Sequence, residues 1–271
     1  KTYHFHSISE KTKIFGITGY PLKITSSPEL QNGMFEKANL DAVFIPFKSE
    51  TIEDSLDFAK TLDIQGFSVT IPHKETVIPL IRNIDEKAES IGACNTVVRY
   101  GDDWKGYNTD ALGFEKALLE FTGTKDLKGK KVAIIGAGGA SRAIAYVIKE
   151  LGAKACVFNR TLAKARLIAE KYGFDYATLG PESLEKLNKY SDVIVQTTSK
   201  GMGSNDPSNP ENDPIWFYDF NGEEYVYDVI YSPEVTPVMA RADASGCKVC
   251  NGAGMLLYQG IAQFELYKQL V

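Results

Sequence analysis

Cysteine and histidine are scarce in this chain, and it has no long apolar or basic run. Four cysteines occur in 271 residues: Cys94, Cys156, Cys247 and Cys250. The last two form a C-x-x-C, which raises redox chemistry or half a metal site. No second pair with a flanking His accompanies it, and it lies in a strand-like run, CKVC, rather than at a helix start. Inert thiols in a reducing compartment are expected. His4, His6 and His73 are too scattered for a metal centre. No apolar stretch approaches membrane-spanning length, so no membrane partner is expected. A net charge of −5 without a basic run argues against nucleic acid as a partner. The start, KTYHFHS, has neither the apolar core of a signal peptide nor an initiator Met. A cytoplasmic location is expected, or an organellar one if a longer precursor carries a transit peptide.

What is present is a core-forming chain, 44% hydrophobic, long enough for one large or two modest domains. KIFGIT (13–18), AVFIPF (42–47) and GFSVT (66–70) read as strands. SPELQNGMFEKANL (27–40) reads as a helix capped by Ser27, with Leu30, Met34 and Phe35 on one face. TIEDSLDFAKTL (51–62) reads as a second, with Ile52, Leu56, Phe58, Ala59 and Leu62 inward. PHKETVIPLI (72–81) is expected to be a short helix. NTVVRY (95–100) and WKGYN (104–108), joined by Gly101-Asp102-Asp103, form a hairpin pattern. A helix over 109–121 leads to a second strand–helix series: VAIIG, ACVFN, DVIVQ and YVYDVI, a parallel sheet. Residues 203–214 are a polar loop, and a long amphipathic helix closes the chain, with Leu256, Leu257, Ile261, Phe264 and Tyr267 as its core face.

The most informative stretch is KVAIIGAGGASR (131–142). A β-branched strand runs into Gly136, Gly138 and Gly139, and Ala143, Ile144 and Val147 then recur at helical spacing. Strand, glycine turn and helix in this order is the dinucleotide-binding context, although a tight turn alone uses the same glycines. Ser141 stands at the third glycine position. The next strand ends at Asn159-Arg160-Thr161, with Lys164 a turn later, where an NAD site places a carboxylate. Arg160 can instead pair bidentately with a 2′-phosphate, which favours NADP over NAD. Lys74 lies in a Pro-containing turn that is expected to start a helix, and Asp110 opens its own. Such a pair is either a proton relay for carbonyl reduction or a surface lysine and a capping aspartate.

These segments, with GYPLKITSSPELQN (19–32), VTIPHK (69–74), GACNT (92–96), GYNTDALGF (106–114), TTSKGM (197–202), DVIYSPEVTP (228–237) and GAGMLLYQ (252–259), resemble the shikimate dehydrogenase family over nearly the full length. That family reduces 3-dehydroshikimate with NADPH. The resemblance implies Lys74 as catalytic acid/base and Asp110 as its partner. It implies Thr25 and Ser27 on the substrate carboxylate, and Thr70, Asn95 and Gln259 on the ring hydroxyls. Tyr231, Gly252 and Met255 would line the nicotinamide and carboxylate side, and Thr198 the nicotinamide ribose. Gly136, Gly138, Gly139 and Ala140 would cradle the pyrophosphate, while Asn159, Arg160, Thr161 and Lys164 take the adenosine phosphate. Three positions depart from the family pattern: Thr25 replaces a serine, Ile24 a histidine and Ser68 an asparagine.

The expected architecture is α/β with two domains. Residues 1–111 plus 252–271 form a substrate domain and 112–251 a Rossmann-type NADP domain, with the active site in a cleft between them. The expected partners are the small-molecule substrate and NADP. The chain is expected to act as a monomer or homodimer, or as the dehydrogenase part of a fusion with dehydroquinate dehydratase. Rival readings are a quinate or dual-specificity dehydrogenase, and a non-catalytic NADP-binding sensor.

Overall fold

The computed structural model describes residues 8–22, 25–203 and 210–271. His4, His6, Ile24 and the middle of the 203–214 loop lie outside the described residues. The chain divides into two compact units, Lys1–Leu112 with Leu257–Val271, and Gly113–Leu256. Gly252 and Met255 therefore belong to the same unit as the glycine turn.

The first unit contains β1 (Lys13–Thr18), α1 (Ser27–Lys37), β2 (Ala42–Pro46), α2 (Ile52–Thr61), β3 (Ile64–Val69), β4 (Asn83–Ile84), α3 (Glu86–Ile91), β5 (Thr96–Tyr100) and β6 (Asp103–Tyr107). Its sheet has the order β2-β1-β3-β5-β6-β4. β1 pairs in parallel with β2 and β3, whereas β3–β5 and β5–β6 are antiparallel. The expected hairpin is β5–β6, with Gly101 at φ +62°, a turn conformation that glycine adopts without steric cost. Phe15, Phe35, Phe44 and Tyr267 pack on one another, with Phe15 and Tyr267 ring centroids 5.0 Å apart.

The second unit contains β7 (Lys131–Ile135), α5 (Gly139–Glu150), β8 (Lys154–Asn159), α6 (Leu162–Tyr172), β9 (Asp175–Thr178), α7 (Leu184–Lys189), β10 (Val193–Gln196), β11 (Tyr225–Asp228), α8 (Pro237–Ala244) and β12 (Lys248–Cys250). All its pairings are parallel, in the order β12-β11-β10-β7-β8-β9. Counted within the unit this is the doubly wound order 3-2-1-4-5-6, whose direction reverses between its first and fourth strands. That switch point lies between β7 and β10, and ligands of open α/β sheets bind beyond the strand ends there. The unit boundaries fall inside the two remaining helices, α4 (Asp110–Thr122) and α9 (Ala253–Tyr267).

Four local expectations need correction. Residues 71–77 are consecutive turns followed by a 3-10 turn at Ile78–Leu80, not an α-helix. Pro72 and Pro79 bring no N–H, and the β-branched run Thr76-Val77-Ile78 disfavours helix. Ser27 is the first helical residue of the first helix rather than its cap, and Ser26 at the N-cap position makes no side-chain capping bond. Phe58 and Leu62 of the second helical segment are 42% and 43% exposed; Phe58 stacks on Phe47 instead of entering the core. On α9, Leu257 and Ile261 are exposed, and the buried stripe is Gln259, Gln263 and Tyr267. These three follow at i, i+4 spacing and so share one face. Tyr267 and the half-buried Phe264 face inward as expected, but hydrogen-bonded polar side chains take the rest of the inner side in place of Leu257 and Ile261.

Candidate active site

The lysine turn is pinned on both sides of Lys74. The His73 N–H donates to Thr70 O and the Val77 N–H donates to His73 O. The His73 Nε2 is 3.0 Å from Ser49 O, and the Cys94 N–H donates to Lys74 O at 2.7 Å. These contacts, rather than a helix start, hold Lys74 in place. Its ammonium donates to Asp110 Oδ2 at 2.5 Å, with side chains 16% and 7% exposed. A charge pair so withdrawn from water needs further hydrogen bonds to offset desolvation. Asn95 supplies one, donating from Nδ2 to Asp110 Oδ1 at 2.9 Å.

Asp110 does not cap its helix. The Ala111 N–H is taken by Asn108 Oδ1, and the Asn108 Nδ2 donates to Ala93 O. Asp110 instead sits in the first turn of a 13-residue helix, where the dipole favours a carboxylate. Gln259 Oε1 lies 3.3 Å from Asn95 Nδ2 and 3.4 Å from the Thr109 hydroxyl. Lys74, Asn95, Asp110 and Gln259 thus form one hydrogen-bonded cluster. Of the other expected substrate residues, Ser27 is buried and its N–H donates to Thr25 Oγ1. Thr70 follows β3 directly, and its methyl leaves no room for a side chain at Gly19, where a Cβ would come within 2.4 Å. Cys94 adjoins the cluster, but burial pushes its thiol up to about 12, so it is no nucleophile at neutral pH.

In the second unit the glycine turn stands at the switch point. Gly136 has φ +114°, and a Cβ there would meet Thr197 Oγ1 at 2.5 Å. Gly138 precedes α5, is exposed, and has nothing within 4 Å of the place its Cβ would take. The Ser141 hydroxyl accepts from the Gly138 N–H at 3.0 Å and lies 2.6 Å from Thr197 Oγ1, which donates to Ile135 O. The Ser141 proton therefore goes to Thr197, and one chain of bonds ties the glycine turn to the end of β10. Thr198 follows there; buried Gln196 accepts its N–H and donates to Thr198 O and Lys200 O. Gly139 and Ala140 open α5, and neither α5 nor α6 has an acidic residue in its first turn. Arg160, Thr161 and Lys164 are exposed at the start of α6, and Asn159 Nδ2 donates to Thr161 O.

Gly252 has a packing reason of its own: a Cβ would lie 2.0 Å from Val229 O. Met255 is buried and Tyr231 half-buried. Tyr231 belongs to the segment that Asp228 ties down, its carboxylate accepting from the Ile230 N–H and the Thr236 hydroxyl. Burial raises the Asp228 pKa from 3.8 to about 7, with Asp213 adding to the effect. A raised folded pKa contributes stability present below 3.8 and lost as pH rises through about 7. Asp228→Asn mimics the protonated acid. Its stability advantage over the parent should open above about pH 4 and level off above about pH 7, reaching a few kcal/mol. Unfolding midpoints of both proteins across that range check this; a constant gap would refute it.

Sequence reasoning missed Thr109, Thr96 and Gln263 around Asn95, and Gln196 and Thr197 beside the glycine turn. Polar residues spaced four apart in an apolar helix were the available signal for Gln263. The threonines carried none, since a Thr in a strand or turn is ordinary, and Gln196 is a single polar residue at the end of an apolar strand.

A lysine held by a carboxylate, on a chain that also folds a doubly wound sheet with a glycine turn at its switch point, is the design of a nucleotide-dependent dehydrogenase. Comparison with known proteins narrows this. Residues 17–97 match the shikimate dehydrogenase substrate-binding domain and residues 117–202 the shikimate/quinate 5-dehydrogenase domain. The NADP+ shikimate dehydrogenase of Caldanaerobacter subterraneus subsp. tengcongensis is 38% identical over 269 residues, covering 96% of this chain and 93% of the relative. The solved shikimate dehydrogenase of Aquifex aeolicus superposes with a TM-score of 0.84 at 34% identity, covering 97% and 94% of the two chains. That of Thermus thermophilus, in complex with NADP(H) and shikimate, gives 0.79 at 30%, covering 96% and 95%. The chain belongs to the shikimate dehydrogenase family. Among the described residues no helix is long and apolar enough to cross a membrane.

Proposed function

We propose that this chain is an NADP-dependent shikimate dehydrogenase that reversibly reduces 3-dehydroshikimate to shikimate, a step of the shikimate pathway to chorismate and the aromatic amino acids. The observation that carries the reading is the Lys74–Asp110 contact of 2.5 Å, held by Asn95 within a cluster of neutral hydrogen-bonding groups. A hydroxylated ring acid needs many neutral donors and acceptors and few fixed charges. Sites built this way reject analogues lacking a hydroxyl, because a buried group is then left unpaired.

The residues present fit NADP. Space is open at Gly138, and the first turn of α5 carries no acidic side chain to oppose a pyrophosphate. Arg160, Thr161 and Lys164 would hold the 2′-phosphate, and Gly136, Gly138, Gly139 and Ala140 the pyrophosphate. Bound NADPH supplies the hydride that reduces the substrate ketone. Lys74 gives a proton from Nζ to the oxygen as it becomes an alkoxide, and takes it back in the oxidative direction. Asp110 holds the ammonium in place through Oδ2. Thr25 and Ser27 bind the substrate carboxylate through hydroxyl donors. Thr70, Asn95 and Gln259 hold its ring hydroxyls, and Tyr231 completes the substrate contacts.

NADPH formation from NADP+ and shikimate, measured against NAD+ and against quinate, tests the reading. Preference for shikimate with NADP+ is expected; no turnover of either acid would refute it. The cofactor assignment has its own test. Arg160→Ala should weaken NADP+ by about 1.5–3 kcal/mol, the scale of a lost charge-assisted contact, and leave NAD+ nearly unchanged. Equal loss for both cofactors would remove Arg160 from the 2′-phosphate.

A further inference from the structure

Behind the Lys74–Asp110 pair runs a buried line of side chains, of which the assigned roles use only Asn95. Starting from α9, the Gln263 Nε2 donates to Thr96 Oγ1 at 2.9 Å. The Thr96 hydroxyl donates to Asn95 Oδ1 at 2.9 Å, and the Asn95 Nδ2 reaches Asp110 Oδ1 at the same distance. On its other side Gln263 Oε1 accepts from the Ser68 hydroxyl at 3.0 Å, and Ser68 Oγ lies 3.2 Å from the Tyr267 hydroxyl. Thr96 and Tyr267 are fully buried, and Ser68, Gln263 and Asn95 are no more than 4% exposed.

The protons along this line have one consistent order. An ionised Asp110 only accepts, so Asn95 must present its NH2 to it and its oxygen to the other side. Three donors meet that oxygen: the Thr109 N–H at 2.8 Å, which can only donate and so sets the face of the amide, the Thr96 hydroxyl at 2.9 Å and the Thr109 hydroxyl at 3.3 Å. A threonine hydroxyl both donates and accepts, so the Thr96 proton is by itself free to turn away from Asn95. Gln263 removes that freedom. Its N–H takes an acceptor site on Thr96 Oγ1 and directs the hydroxyl proton to Asn95. Gln263 is itself oriented, because its Nε2 also donates to the Asn95 carbonyl at 3.4 Å, which can only accept; Ser68 then sends its proton to Oε1, which leaves the Tyr267 hydroxyl to donate to Ser68. Ser68 stands where the family pattern has an asparagine. Its short side chain ends at hydrogen-bonding distance from Gln263. In a medium without competing water, such a chain holds its members more firmly than isolated pairs do.

We propose that Thr96 and Gln263 are positioning residues for the Lys74–Asp110 pair, acting by holding the Asn95 amide, whose face the Thr109 N–H sets, firmly against Asp110. The proposal rests on the shikimate dehydrogenase reading of that pair. It is tested by steady-state oxidation of shikimate with NADP+. Thr96→Val keeps the shape and deletes the hydroxyl; it should lower kcat about tenfold or more, with the KM for NADP+ within about twofold of the parent. Thr96→Ser restores the hydroxyl and should recover kcat to within about threefold. Gln263→Met, close in length but without the amide, should reproduce the kcat loss if Thr96→Val does not fold. A structural role alone would lower the unfolding midpoint and leave kcat unchanged. A folded Thr96→Val or Gln263→Met with kcat within about twofold of the parent overturns the proposal, as does equal loss in the Ser and Val variants. A parent inactive on shikimate would overturn the reading of the site, and the proposal with it.

Discussion

Lys74→Ala should lower kcat for shikimate oxidation by about a hundredfold or more, close to 2.7 kcal/mol of transition-state stabilisation, the usual scale for a positioned acid/base. NADP+ affinity should change little, because the nucleotide contacts proposed here lie in the other unit. The 2.5 Å contact adds a second expectation. Groups that act as a pair give non-additive losses, so Asp110→Asn should cost much less in the Lys74→Ala background than in the parent. Single and double variants assayed at saturating NADP+ decide both points. A Lys74→Ala enzyme with near-normal kcat would end the acid/base assignment, and additive losses would separate Asp110 from it.

The second large effect is expected at the glycine turn, where two glycines are needed for different reasons. At Gly136 a Cβ would meet Thr197 Oγ1 at 2.5 Å, and φ +114° is a backbone state that L side chains rarely adopt. Gly136→Ala should therefore destabilise by about 2–4 kcal/mol from strain and overpacking together. Gly138 has an ordinary φ of −104° and open space around it. There Gly138→Ala should cost less than about 1 kcal/mol, the scale of a poorer N-cap. Its methyl would stand where the pyrophosphate approaches, so NADP+ binding should fall at least about tenfold. Unfolding midpoints and NADP+ titrations of the two variants separate the cases. A Gly138→Ala protein that binds NADP+ normally would remove the phosphate role from this turn.

How much of this was legible beforehand depended on distance along the chain. β1 has the bounds the pattern predicted, Lys13–Thr18, because a short apolar run with β-branched residues acts locally. The same holds for the hairpin around Gly101 and for the strand, glycine turn and helix from Lys131 to Glu150. Local rules failed where tertiary contacts outweighed them. The Pro72–Ile81 segment makes only isolated turn bonds of its own and is pinned by contacts to Ser49 and Cys94. α9 buries its glutamines because Ser68, Asn95 and Thr96 offer them partners from two strands.

The candidate site divides along the same line. Gly136, Gly138 and Arg160 could be read from strand, turn and helix, since a phosphate site of this kind is built from one contiguous stretch. Lys74 and Asp110 could be suspected from their motifs. Their pairing was expected from the resemblance; the 2.5 Å contact itself, the capping by Asn108 rather than Asp110, and the NH2 that Asn95 turns to Asp110 came only from the fold. Sequence alone determined the two sheet-forming halves, the nucleotide-type turn and the reactive residue types, because these follow from short-range periodicity and backbone sterics. The tertiary structure alone decided which polar groups meet, because a hydrogen bond between Gln263 and Thr96 joins residues far apart in the chain, and short-range patterns carry no record of such pairs.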